Sequence, residues 1–201
     1  MQLYVTLTSP YARLARMVVL EKGFSQRIEV LEAKTRTPDS PYYKVNPSGR
    51  VPFLVRDDGQ TMEDSQLICL YLDGLDGKPR LHPPFAQQDW GYGRLETYAR
   101  SLLDGISVFN REMRRPEAER SPGILKHEID RAVRLADFWE REISHPLMQG
   151  PINMAQLVLL SVLDFGAYGK IADLEKGRPK LIIWARRMRE LPSAKATAPG
   201  K

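Results

Sequence analysis

Residues 2–33 read QLYVTLTSPYARLARMVVLEKGFSQRIEVLEA, and their pattern changes twice. The opening "QLYVTL" is rich in strand formers, and "RIEVLEA" from Arg27 alternates apolar with charged residues over a second, shorter strand. Between them, "YARLARMVVLEKG" sets Leu14, Met17, Val18 and Glu21 at helical spacing and stops at Gly23. A strand, a helix and a strand in succession form a crossover unit, which predicts that the two strands are parallel. Where the first strand runs into the helix stands Ser9-Pro10. Proline suits the first helical position, so Ser9 reads as the N-cap, its hydroxyl accepting from a backbone N–H that has no partner inside the helix. The same place gathers free N–H groups and the positive end of the helix dipole, which favour a thiolate or another anion. Cap and chemistry are compatible at Ser9.

Further along, "VPFLVRDDGQTMEDSQLICLYLDGL" predicts a strand over 51–56, a turn at Asp58-Gly59, a hairpin arm over 60–62 and a helix from about Ser65. A short helix is expected near "SPYYKVN". In "NPSGRVPFLV", Pro52 enters a strand, where a trans bond is the ordinary state and a cis Val51-Pro52 bond the alternative. In "MEDSQLICLYL", Ser65 reads as a simple cap, since Ile68 rather than Glu or Gln stands at its N3. Residues 72–85, "LDGLDGKPRLHPPF", crowd glycine and proline and read as an interdomain connection. Beyond it the pattern is helical over about 86–115, 123–143, 153–171 and 181–190. The small-residue end "PSAKATAPGK" reads as frayed. In "NMAQ", Asn153 and Gln156 have the chemistry of a capping box without its charge.

Composition narrows the function classes. The chain has 201 residues, 42% of them hydrophobic and 27% charged, which suits one or two globular domains with ordinary cores. Its net charge of +5 is spread: residues 1–80 hold 11 of the 30 Lys and Arg and 10 of the 25 Asp and Glu. The densest basic stretches, "REMRRPEAER" and "WARRMRE", are interleaved with Glu and read as solvated helix faces, so no nucleic-acid partner is expected. No signal peptide and no spanning run are visible, so no membrane is expected and the cytoplasm is the default. The single Cys69 lies among apolar residues and reads as a buried, inert thiol.

Three motifs in this order carry a resemblance. "SPYARLARMV" resembles the first-helix motif of the glutathione transferase family, "NPSGRVPFLV" its proline loop, and "EDSQLICLYL" the helix start that anchors glutathione, while "RPKLIIWARRMRELPSAKATAP" is similar to its closing helix and tail. The resemblance implies an α/β plus all-α chain: a thioredoxin-like glutathione-binding domain over 1–78, a linker over 79–85, and an all-helical C-terminal domain over 86–201. It implies a cytoplasmic homodimer of the bacterial, serine-like type that conjugates glutathione, as co-substrate and without a metal, to a small hydrophobic electrophile in detoxification. By position, Ser9 would stabilise the thiolate and Val51, ahead of a structural cis-Pro52, would pair its backbone with the cysteinyl part. Arg50 would reach the glycyl carboxylate, and Asp64 and Ser65 would hold the γ-glutamyl end. Tyr4 and Tyr11 are the other hydroxyls near the site, and Tyr92, Tyr98, Phe109 and Met113 are candidate electrophile contacts. The alternatives are a glutathione- or ligand-binding protein of the same fold with little turnover, and a protein-interaction module. A thiol-disulfide enzyme is disfavoured, because "SPYA" has no cysteine to form a mixed disulfide.

Overall fold

Alternation in β1 (Gln2–Val5) sends Leu3 and Val5 to one face of a sheet, where both are fully buried, and Tyr4 to the other. The structure, a computed structural model, describes residues 1–76, 78–82 and 90–201. Four strands form the sheet, in the order β2-β1-β3-β4: β2 (Glu29–Glu32) lies parallel to β1, and β3 (Phe53–Val55) and β4 (Thr61–Glu63) form an antiparallel hairpin beside it. The parallel pair follows from the helix between its strands, α1 (Pro10–Glu21). Helix α1 packs against α3 (Ser65–Gly74), burying Leu14, Met17, Val18, Ile68, Cys69 and Leu72 completely. The opposite face is covered by the short α2 (Tyr42–Val45), where Tyr42, Phe53 and Ala33 form a cluster with Tyr4, Val51 and Val55 around it.

The chain divides into two compact units: Met1–His82 together with Pro192–Lys201, and Pro83–Leu191. In the second, α4 (Trp90–Met113) and α5 (Pro122–Glu142) precede the short α6 (Pro146–Gln149), α7 (Met154–Tyr168) and α8 (Pro179–Arg189). Helix α7 is apolar on every side and buried from Met154 to Leu163, which is the signature of a central helix. Its start carries a full capping box: Gln156 N–H donates to Asn153 Oδ1 and Asn153 N–H to Gln156 Oε1, each at 3.1 Å. The break expected at "SHPLMQGP" contains α6, whose Met148 carbonyl accepts the Trp184 indole N–H at 2.8 Å. Of the expected linker 79–85 and the residues after it, 83–89 lie outside the described residues.

The closing segment is docked rather than frayed. Residues 192–196 form α9, which packs on α1. The buried Arg13 donates to the Ala194 carbonyl and Thr197 Oγ1, and Arg16 donates to the backbone oxygens of Ala196 and Lys201. Ser193 bonds Glu21, and the Gly200 N–H donates to the Leu7 carbonyl at 3.1 Å. Small residues read as a frayed end when only local burial is considered; here long guanidiniums on α1 supply the donors that hold them.

A buried charge closes the other end of α1. The Lys22 ammonium, with a fully buried side chain, pairs with Asp73 at 3.2 Å and Asp76 at 2.6 Å and donates to the Pro79 carbonyl at 2.6 Å. Asp73 in turn accepts from the Leu81 N–H, the His82 N–H and the His82 ring. Burial pushes the Asp73 carboxyl up, but hydrogen bonds from the His82 side chain, the Leu81 and His82 backbone and Lys22 outweigh it, bringing it down to about 2.

Candidate functional site

The register places three turns at one end of the sheet. Tyr4 pairs with Phe53 and Phe53 with Glu63, so the chain leaving β1 toward Ser9, the chain entering β3 through Val51-Pro52, and the chain leaving β4 into Asp64-Ser65 share one edge. Ser9, Arg50, Val51, Asp64 and Ser65 therefore fall within three neighbouring turns of one unit.

Ser9 is the N-cap of α1, with extended backbone (φ −77°, ψ 121°), and its Oγ accepts from the Ala12 N–H at 3.2 Å. Pro10 occupies the first helical position. A hydroxyl accepts and donates through different parts of the same group, so capping leaves its proton available. Among the described residues, no acceptor takes that proton. Tyr4 is committed elsewhere: its ring packs against Tyr42 with centroids 5.5 Å apart, and its hydroxyl donates to Gln2 Oε1 at 3.4 Å.

The second turn offers backbone. The Val51-Pro52 bond is cis. Among the described residues, neither the N–H nor the carbonyl of Val51 makes a hydrogen bond, whereas both backbone groups of Arg50 are held by side chains. The Arg50 side chain is exposed, and its guanidinium is in no ion pair among the described residues.

At the third turn, the structure corrects the sequence reading of the cap. Asp64, not Ser65, caps α3: its backbone is left-handed (φ +79°), and Oδ1 accepts from the N–H groups of Gln66 at 2.8 Å and Leu67 at 3.2 Å. Aspartate is one of the few residues besides glycine that tolerate this conformation. Ser65 becomes the first helical residue, 5% exposed, with a hydroxyl that makes no hydrogen bond among the described residues. The second carboxylate oxygen of Asp64 is likewise uncommitted there.

Sequence reasoning missed the residues that shape the second turn: Tyr42, Asn46, Ser48 and Glu63. The Asn-Pro pair at 46–47 marks a turn, but nothing in the pattern links Asn46 to a carboxylate 17 residues away. Among the candidate electrophile contacts, Tyr92 is a core residue at 6% exposure whose hydroxyl burial and the nearby Glu96 push far upward, while Tyr98 is 40% exposed and stacks on Phe138 at 4.3 Å. No group of acidic, histidine or cysteine side chains among the described residues could hold a metal ion.

A family model described as the glutathione S-transferase N-terminal domain matches residues 3–80. The chain is similar along most of its length to the GST-like protein YibF of Escherichia coli, with 25% identity over 86% of this chain and 85% of that one. It is also similar to glutathione S-transferase 2 of Saccharomyces cerevisiae, with 27% identity over 97% and 88%. A glutathione transferase family member from Pseudomonas fluorescens, solved with bound glutathione, covers 100% of this chain and 99% of its own at 23% identity and a TM-score of 0.90. The thioredoxin-like sheet and the helical second unit have the fold of glutathione transferases. No helix among the described residues is long and apolar enough to cross a membrane.

Proposed function

We propose that this protein is a cytoplasmic glutathione transferase that joins the glutathione thiolate to a small hydrophobic electrophile. The observation that carries the reading is the set of uncommitted polar groups at one end of the sheet: the Ser9 proton, both backbone groups of Val51, and the Ser65 hydroxyl beside the free oxygen of Asp64. Their chemistry matches a tripeptide thiol. Val51 offers a backbone donor and acceptor to the central residue, Ser65 offers a donor to the α-carboxylate, and Asp64 offsets the ammonium. Arg50 is within the same turn as Val51 and serves the glycyl carboxylate.

The thiol needs help to react. With an ordinary value of about 8.5 it is only a few per cent thiolate at neutral pH, and the thiolate is the nucleophile. A hydrogen bond to a charged acceptor contributes about 1.5–3 kcal/mol, and one pKa unit corresponds to about 1.4 kcal/mol, so the Ser9 donor at a helix start lowers the bound thiol by roughly one unit. Attack on the electrophile then forms the carbon–sulfur bond and expels the leaving group with its electron pair, or adds across an activated double bond. Bound glutathione in the Pseudomonas fluorescens relative supports the ligand assignment. A similarity of 34% over 122 residues to glutaredoxin 2 of Escherichia coli brings a thiol-disulfide reading forward, but Ser9 has no sulfur with which to form a mixed disulfide. Leu67 and Leu70, exposed on α3 at 49% and 41%, support a homodimer.

Calorimetry tests the ligand directly. Wild-type protein is expected to bind glutathione, and Ser65→Ala is expected to bind at least about tenfold more weakly. No heat of binding with the wild type, or equal affinity in the variant, counts against this site. Light scattering is expected to give twice the chain mass of 23.0 kDa.

A further inference from the structure

Residue 50 is clamped by three side chains, from α2, its C-cap and the turn that follows. Its carbonyl accepts from the Tyr42 hydroxyl at 2.5 Å and from Asn46 Nδ2 at 3.0 Å; its N–H donates to Ser48 Oγ at 3.1 Å. Asn46, 2% exposed at the end of α2, also accepts the Ser48 N–H at 3.1 Å and donates to Glu63 Oε2 at 3.1 Å. The Ser48 hydroxyl donates to the same Glu63 oxygen. Glu63, the last residue of β4, is therefore the root of the clamp: it takes the second amide proton of Asn46 and the proton of Ser48, which leaves Asn46 and Ser48 oriented toward Arg50.

The Arg50 carbonyl and the Val51 N–H belong to one planar, trans peptide group, in which the two bonds point in opposite directions. Two donors on the carbonyl thus fix where the Val51 N–H points. A rotation of that peptide would aim the N–H back toward Tyr42 and Asn46, where both groups are themselves donors. We propose that Asn46 and Glu63 are positioning residues for glutathione: through the Arg50 carbonyl they aim the Val51 N–H at the cysteinyl segment of the bound tripeptide. This rests on the functional reading above, and it adds a carboxylate and an amide that act on the ligand without touching it.

The role separates from simple folding. The clamp orients the peptide contact, whereas Ser9 acts on the sulfur, so a broken clamp weakens binding and leaves the ionisation of bound thiol unchanged. The test is calorimetry together with amide NMR of ¹⁵N-labelled full-length protein titrated with glutathione. In the wild type, the Val51 amide is expected to shift downfield on saturation. In Asn46→Ala, affinity is expected to fall about tenfold and the Val51 shift to vanish, while the Ser65 amide still shifts and the thiolate absorbance titration is unmoved. Tyr42→Phe, which removes only one donor, serves where Asn46→Ala folds poorly and is expected to weaken binding two- to fivefold; Glu63→Gln, which keeps an acceptor, is expected to restore most of what Glu63→Ala loses. Wild-type protein that neither binds nor shifts overturns the functional reading and this inference with it. Wild-type binding with affinity and Val51 shift unchanged in Asn46→Ala and Tyr42→Phe overturns the inference alone.

Discussion

Helices α1 and α3 begin at the same end of the sheet and are capped by opposite chemistry. Ser9 caps α1 with a hydroxyl on ordinary extended backbone and keeps a proton; Asp64 caps α3 with a carboxylate on left-handed backbone and keeps an oxygen. A hydroxyl cap is thus left as a donor and a carboxylate cap as an acceptor. The first suits a thiolate and the second an ammonium, so under the proposed function the two caps divide the ligand between them. In that proposal each residue holds a helix and faces the ligand at once, and the substitutions that matter are those that separate the two duties.

The largest separation is expected at Asp64. Asp64→Ala removes a cap that holds two N–H groups and puts alanine in left-handed backbone, which together should cost about 2 kcal/mol in urea unfolding. Glutathione affinity should fall at least about tenfold in the same variant. Asp64→Asn keeps the cap and tolerates the backbone while losing the charge, so stability should stay within about 0.5 kcal/mol of wild type and the affinity loss should remain. If Asp64→Asn binds as tightly as wild type, the carboxylate is a cap and nothing more.

The far end of α3 gives a contrast of similar size, because there the carboxylate serves the fold alone. Asp73 is held at about 2, below its unfolded value of 3.8, so its contribution is complete above the ordinary carboxylate range and is lost as pH falls through that range toward 2. The full effect is about 2 kcal/mol. Urea unfolding of Asp73→Asn between pH 6 and pH 3 should show a shallower loss of stability than the wild type. Parallel slopes would remove Asp73 from the acid sensitivity of the fold.

Next comes the cap of α1. Ser9→Ala should cost about 1 kcal/mol, whereas Ser9→Asp keeps a capping oxygen and should melt near wild type. Thiolate formation should nonetheless fall in Ser9→Asp, because a negative charge then lies beside the sulfur. The smallest effect is expected at Tyr4: Tyr4→Phe loses only a 3.4 Å bond to Gln2 and should leave the bound thiol unmoved. A raised thiol value in that variant would transfer the sulfur contact from Ser9 to Tyr4.

What could be read in advance follows the range of the interactions. The order of strands and helices, the parallel β1-β2 pair, the Ser9 cap and the Asn153–Gln156 box are set by neighbours a few residues apart, and pattern and residue type suffice for them. Asp64 and Ser65 are both good caps, and the pattern does not say which one leaves the helical conformation; the backbone turn out of β4 decides it. The docked end depends on Arg13 and Arg16 reaching residues 180 or more positions away, and the clamp on Arg50 depends on Glu63 meeting Asn46 across the hairpin. Those contacts exist only once the sheet has formed, so no local reading contains them.

The central claim is that the Ser9 hydroxyl donates a hydrogen bond to the sulfur of bound glutathione and so favours its thiolate. The measurement is the ultraviolet thiolate absorbance of glutathione, saturating on wild-type protein and on Ser9→Ala, followed against pH. The expected result is a midpoint in the wild type about one unit below the free value of about 8.5, rising back toward it in Ser9→Ala. Glutathione that binds both proteins and titrates at the same pH on each would contradict it.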